Sequence, residues 1–255
     1  MLPSPAVPSL LERIARRAFR PLYRPYYHLV WCRRFPGAGR LEGLVRRFET
    51  ASGRADVPLD QGGWDAQYAG GYWDFLGSEE EARRLRAVAE LVHRHAPGAA
   101  VLDVGCGEGL LREHLGSAVS YVGIDLSREA IARAGARARP ASGGPAAEFL
   151  VADAESWQPG RRFGAVVLNE CLYYFERPLA AARRCLGWLE PGGVMVVSTF
   201  RGPRADAIAR LLDAELPPAE ELELPAPRGS WRIALYRPPA PVAVTAPPPA
   251  RPDTP

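Results

Sequence analysis

The stretch VLDVGCGEGLL, residues 101–111, decides the fold. An apolar run stops at three glycines in alternate positions, Gly105, Gly107 and Gly109, and a helical pattern follows in LLREHL. Strand, glycine turn, helix is the arrangement of a nucleotide-cofactor site. Gly105 suits the sharp turn off the strand, and Gly107 lets backbone approach a ligand with no side chain between them. The spacing departs from the dinucleotide fingerprint G-x-G-x-x-G, because the third glycine comes one position early. Asp103, two residues before the turn, adds a charge argument. A pyrophosphate would sit at the following helix N-terminus, where a carboxylate repels it.

The ligand is therefore expected to be cationic and free of phosphate. S-adenosylmethionine meets both conditions, and Asp103 is placed to accept hydrogen bonds around its methionyl amino end. Two more acids fall at successive strand ends. Asp125 in YVGIDLS lies 20 residues beyond Gly105, the position from which an acid accepts from ribose hydroxyls. Asp153 in VADAESW is placed to accept from an adenine amino group. Cys106, Leu126 and Ala154, neighbours of these acids, are expected to make backbone or apolar contact with the same cofactor.

Outward from this motif, residues 79–237 alternate strand and helix. SEEEARRLRAVAELVHRHA, residues 78–96, has Ser78 and Glu81 in capping-box spacing, with Ala82, Leu85, Val88, Ala89 and Val92 on one face. Short strands are predicted in AAVLDVG, SYVGIDLS, AEFLVADA, FGAVVLNE and VMVVSTF. Helices lie between them, one capped by Ser127 and one with Pro178 in its first turn and a PGG stop. AEELELP and SWRIALYRP read as a closing hairpin. Strands joined by crossover helices imply a doubly wound, mostly parallel α/β sheet.

At this point the chain resembles the class I S-adenosylmethionine-dependent methyltransferases of the small-molecule type. VLDVGCGEG, VGIDLS, VADAESW, FGAVVLNECLYYF and LEPGGVMVVSTF look like their successive motifs. The resemblance implies a Rossmann-like seven-stranded sheet with an antiparallel last strand. It also puts Asn169, with the cofactor, and Glu170 at the end of strand four, facing the ligand crevice. NECLYYF departs from the N-P-P-Y-type motif of amino-group methylation, which counts against a DNA adenine methyltransferase. Glu170 is the first candidate for a general base or a substrate hydrogen-bond acceptor, since a hydroxyl nucleophile benefits from a base. Tyr173 and Tyr174 are candidates to line the acceptor pocket.

Before the core, QGGWDAQYAGGYWDFLGS, residues 61–78, is rich in aromatics and glycine. It is read as a lid, with Tyr68 and Trp73 over the methionyl end and Arg84 as a partner for its carboxylate. Residues 1–60 form a basic extension with a helical pattern in SLLERIARRAF. The first 50 residues hold ten Arg against three Glu, in a chain of net charge +3. Such a segment can lie on an anionic membrane surface, contact nucleic acid, or cover the pocket and mediate self-association. Residues 238–255 contain eight prolines and read as a disordered tail.

The composition is that of a soluble protein, 47% hydrophobic and 24% charged. A cytoplasmic location is expected, because the first residues hold prolines and Glu12 where a signal sequence would be apolar. The four cysteines form no C-x-x-C pair and no metal site is expected. The expected activity is methyl transfer to a small-molecule acceptor, at oxygen rather than nitrogen. An RNA or tRNA methyltransferase and a non-catalytic cofactor-binding subunit are the alternatives.

Overall fold

The computed structural model describes residues 59–116, 118–138, 147–226 and 229–238. The readings of residues 1–58 and 239–255, with Cys32 and the helix at SLLERIARRAF, lie outside the described residues. The chain begins with α1 (Gln61–Ala69), a short 3-10 turn (Asp74–Gly77) and α2 (Glu79–His95). Strands and helices then alternate through β1 (Val101–Val104), α3 (Leu110–Leu115), β2 (Tyr121–Asp125), α4 (Arg128–Arg137) and β3 (Glu148–Val151). The second half holds β4 (Phe163–Asn169), α5 (Pro178–Gly187), β5 (Leu189–Phe200), α6 (Pro203–Glu215), β6 (Glu220–Ala226) and β7 (Gly229–Tyr236).

The sheet has seven strands in the order β3-β2-β1-β4-β5-β7-β6. β1 to β5 are parallel, and β7 runs antiparallel between β5 and β6. This is a doubly wound, Rossmann-like fold. Its topological switch point lies between β1 and β4, which sends the chain to opposite sides of β1 and opens a crevice at the strands' carboxyl ends.

Burial explains why the strands are legible as apolar runs. Leu102 and Val104 join the cluster that packs under α5 and α6, with Ala182, Cys185, Ile208 and Leu212. Val101 joins the opposite cluster, with Leu85, Val88 and Val92 of α2 and Leu111 of α3. Side chains alternate across a strand, so Asp103 faces the α2 side with Val101. The fully buried aliphatics of the central strands each contribute roughly 1.5–3 kcal/mol of transfer free energy.

Two local expectations are corrected. The Ser78 hydroxyl does accept from the Glu81 amide (3.4 Å), but the Glu81 carboxylate does not reach back. It turns inward to Arg84, accepting from Nη2 at 2.6 Å and Nε at 3.2 Å, because a buried guanidinium needs a counter-charge. The PGG sequence is no simple helix stop. β5 starts at Leu189, which pairs with Phe163, and its register shifts before Val194 pairs with Ala165. Gly192, at φ 81°, carries that irregularity. No helix among the described residues is long and apolar enough to cross a membrane.

Gly105 shows how tightly the turn after β1 is held. Its φ is 68°, and a Cβ built there would stand 2.7 Å from Cys171 Cβ. Left-handed strain and overpacking therefore coincide. Gly105→Ala is expected to destabilise by about 2–4 kcal/mol and lower the calorimetric unfolding midpoint by roughly 5–15 °C.

Candidate functional site

A cavity of about 970 Å³ opens at the carboxyl ends of the strands. It lies at the upper end of the roughly 300–1,000 Å³ typical of ligand pockets. Each residue expected from the sequence to bind the cofactor or act in the reaction lines it. The turn contributes Asp103, Gly105, Cys106 and Gly107, and the next two strand ends contribute Asp125, Leu126, Asp153 and Ala154. The β4 end adds Asn169, Glu170, Tyr173 and Tyr174, while Tyr68, Trp73 and Arg84 come from the segment before the sheet.

Asp103 is 1% exposed. One of its oxygens accepts a hydrogen bond from Tyr121 Oη at 2.6 Å, and Oδ1 has no partner among the described residues. Burial strips the carboxylate of hydration and pushes its pKa up to about 7, against the opposing effect of the Tyr121 bond. A half-satisfied buried carboxylate on a cavity wall suits a ligand that brings positive charge.

Asp125 is organised differently. Its Oδ2 accepts from the Gly107 amide (2.9 Å) and its Oδ1 from the Ser127 amide (2.8 Å). A carboxylate offers about four acceptor positions, so Asp125 keeps capacity to accept from ligand hydroxyls. Burial raises the Asp125 pKa, and these amide bonds oppose the rise. Asp153 Oδ1 accepts from the Glu155 amide at 2.9 Å and so also shapes its own turn.

The aromatic segment is latched onto this framework. Gln61 Nε2 donates to the Leu126 carbonyl at 2.8 Å. Asp65 accepts from Ser127 Oγ (2.8 Å) and from the Glu129 amide (3.2 Å), so α1 helps cap α4. Arg133 Nη2 donates to the Tyr68 carbonyl at 2.6 Å. The Tyr68 hydroxyl stands 2.8 Å from where a Gly107 Cβ would be, so the glycine admits the segment as well as a ligand. Trp64 and Trp73 meet Tyr174 edge-on, at 5.0 and 6.4 Å between ring centroids, and roof the cavity.

Arg84 is 2% exposed and held on three sides. Two of its nitrogens donate to Glu81, Nη1 donates to Asn169 Oδ1, and its guanidinium lies 5.7 Å from the centroid of Trp231. Three of five N–H groups are committed, leaving two with no partner in these bonds.

Glu170 has a φ of 57°, the one positive value at a non-glycine among the described residues. Such strain costs about 1–3 kcal/mol and persists when its surroundings hold it. Here the carboxylate accepts from Ser198 Oγ (2.8 Å), the Phe200 amide (2.9 Å) and Tyr173 Oη (2.9 Å). Burial and the adjacent Glu170 charge push the Tyr173 phenol well above its ordinary range, so it stays protonated.

Sequence reasoning missed Tyr121, Ser198, Phe200 and Trp231. Phe200 and Trp231 line the cavity, Ser198 binds Glu170, and Tyr121 binds Asp103. Their signal is in sheet register and not in local pattern. Asp65 did have a local signal, a short acid in a helix, but its partner lies 62 residues away.

A family model described as a methyltransferase domain matches residues 77–237. The chain belongs to the methyltransferase-domain family. That family uses S-adenosylmethionine, which the half-satisfied Asp103, the bare Gly107 and the spare acceptor positions of Asp125 fit. Among curated relatives, a protein named ubiquinone biosynthesis O-methyltransferase from Xanthomonas campestris is 38% identical over 154 residues. The match covers 56% of this chain and 62% of that protein, less than two thirds of the relative's length. A relative of the same name from Xylella fastidiosa is 32% identical over 157 residues, 59% of this chain and 63% of its own.

Two solved structures share the methyltransferase fold. The N-methyltransferase NodS from Bradyrhizobium japonicum, in complex with S-adenosyl-L-homocysteine, has a TM-score of 0.57 at 21% identity. The match covers 66% of this chain and 91% of NodS. Magnesium protoporphyrin IX methyltransferase from Synechocystis has a TM-score of 0.58 at 17% identity, covering 69% of this chain and 97% of its own.

The methyltransferase domain should show a pH-dependent cofactor site. A ligand ammonium favours ionised Asp103, which is protonated in the free protein below its pKa of about 7. Adenosylhomocysteine affinity is expected to rise about tenfold per pH unit below that value and to level off above it. Calorimetry between about pH 5.5 and 8 measures this, and Asp103→Asn should flatten the profile.

Proposed function

We propose that the protein transfers a methyl group from S-adenosylmethionine to a hydroxyl of a small-molecule acceptor. The observation that carries this reading is the Tyr173–Glu170 hydrogen bond, 2.9 Å long, on the wall of the cavity that also holds Asp103. The bound cofactor supplies an electrophilic methyl group on a sulfonium. The chain's own residues then have to align the acceptor, exclude water and take a proton. The aromatic roof of Trp64, Trp73 and Tyr174 and the apolar face of Phe200 support enclosure of a small molecule.

The proton route follows from the hydrogen-bond directions. Tyr173 donates to Glu170, so its phenolic oxygen keeps lone pairs for an acceptor O–H. With the methyl donor bound, Tyr173 would take the acceptor hydroxyl's proton as that oxygen gains the methyl group and the carbon–sulfur bond breaks to leave a neutral thioether. Tyr173's own proton moves to Glu170, whose carboxylate ends neutral and later releases it to water. The high pKa of Tyr173 makes it a neutral relay and not a phenolate base. Tyr174 packs edge-on against Tyr173, at 4.6 Å between centroids, and fixes the ring that relays. The names of the ubiquinone O-methyltransferase relatives support oxygen over nitrogen.

Purified full-length protein with methyl-labelled cofactor should label hydroxylated small molecules, phenols and catechols among them, above amines and bulk RNA. Labelling of RNA alone would overturn the acceptor class, and no labelling of any acceptor would favour a binding subunit. On the hydroxyl acceptor that is labelled, Tyr173→Phe should lower kcat by about 10²–10³-fold while leaving adenosylhomocysteine affinity within twofold.

A further inference from the structure

The charged residues of the cavity wall are sorted by strand. Asp103, Asp125 and Asp153 stand at or just after the ends of β1, β2 and β3. Arg177, Arg201 and Arg204 also line the cavity, but at the starts of α5 and α6, the helices that follow β4 and β5. The sheet order β3-β2-β1-β4-β5 therefore puts the acids and these guanidiniums on opposite sides of the switch point. The charges that break the pattern are committed. Arg84 is balanced by Glu81, and Glu170 accepts from Ser198, the Phe200 amide and Tyr173. Glu155, which also faces the guanidinium half, accepts from the Glu176 and Arg177 amides at 3.3 and 3.2 Å, and Glu176 itself is exposed.

The three guanidiniums differ in what holds them. Arg201 is balanced by its neighbours: Nη1 donates to Asp206 at 3.0 Å, and Glu223 and Glu221 stand 3.6 and 3.8 Å from Nη2. Arg177 is exposed, and its guanidinium makes no ion pair among the described residues. Arg204 is partly buried, and its Nη2 donates to the Phe175 carbonyl at 3.5 Å, which lays it along the loop that carries Tyr173. Both are tied to the proton route by short chain paths. The Phe200 amide binds Glu170, and the chain runs from Phe200 directly into the first turn of α6, where Arg204 lies. Tyr173, Phe175 and Arg177 follow one another along the β4 loop. The adenosyl-binding acids stand on the far side of the switch point, so this half of the cavity is left to the acceptor. Guanidiniums there suit a planar anion, which each can meet with two parallel N–H donors.

We propose that the methyl acceptor is a hydroxylated carboxylate, with Arg177 and Arg204 receiving its carboxylate while Tyr173 meets its hydroxyl. The proposal rests on the hydroxyl-methylation reading given above and narrows its substrate class. The carboxylate is a handle and takes no part in the transfer. It fixes which end of the acceptor enters first and so which hydroxyl faces the methyl donor.

The test uses the full chain, methyl-labelled cofactor and a matched pair of acceptors, 3,4-dihydroxybenzoate and its methyl ester. Both offer the same hydroxyls on the same ring, and only the acid is charged. kcat/KM should be about 10- to 100-fold higher for the acid, chiefly through KM. Arg177→Gln and Arg204→Gln should each lower this acid-to-ester ratio by about fivefold or more. Arg177 is exposed, so its variant keeps the fold and the ratio stays readable. A ratio near one in the unaltered chain, or a ratio that both variants leave as it was, would overturn the proposal. Methylation of acid and ester at equal rates does so while the hydroxyl-transfer reading stands. Calorimetry of the same pair on the adenosylhomocysteine complex makes the comparison without turnover. Selective binding of the acid, lost in Arg177→Gln, would sustain the carboxylate site even if neither compound were methylated and the hydroxyl-transfer reading failed. No preference for the acid in either assay sinks the proposal.

Discussion

Asp103 is the constraint around which the site is built. A carboxylate at the end of a central strand, sealed from water and held by one tyrosine, is costly to bury. Its neighbours do not neutralise it. Arg84 lies on the same side of the sheet and acts on it at a distance, but its hydrogen bonds go to Glu81 and Asn169. The protein therefore keeps a carboxylate that suits a cationic ligand, next to a turn whose Gly107 carries no side chain. The choice of cofactor is in this sense electrostatic before it is steric.

The second half of the site depends on strain. Glu170 occupies a backbone conformation that a glutamate adopts at a penalty, and its side chain compensates by binding Ser198, the Phe200 amide and Tyr173. The loop after β4 is thereby fastened to β5. A residue that fastens a loop and, in the reaction proposed above, ends a proton route cannot be replaced for one purpose without disturbing the other.

Much of the architecture could be read from the chain because parallel strands buried on both faces are written as apolar runs. β1, β2 and β4 begin and end close to where VLDV, YVGID and FGAVVLN stop being apolar. Asp103, Asp125 and the glycine turn were legible for the same reason, since strand ends are where the pattern breaks. What could not be read was whatever sheet order decides. Tyr121 reaches Asp103 only because β1 and β2 pair Val101 with Tyr121. Trp231 reaches the cavity only because β7 inserts beside β5, pairing it with Phe200. Glu81 matched a helix-capping pattern, but the need of a buried Arg84 outweighed it. The early start of β5 was hidden because PGG also suits a helix stop, and only its pairing with Phe163 distinguishes the two.

The bond from Arg84 to Asn169 ties the first long helix to the tip of the central strand. Residues on that helix are thus mechanically joined to the loop proposed to meet the acceptor, though they are distant from it in sequence. Anyone seeking to evolve a new acceptor preference should randomise Glu81 and its neighbours together with the β4 loop, because variants confined to the loop inherit an anchor fixed elsewhere.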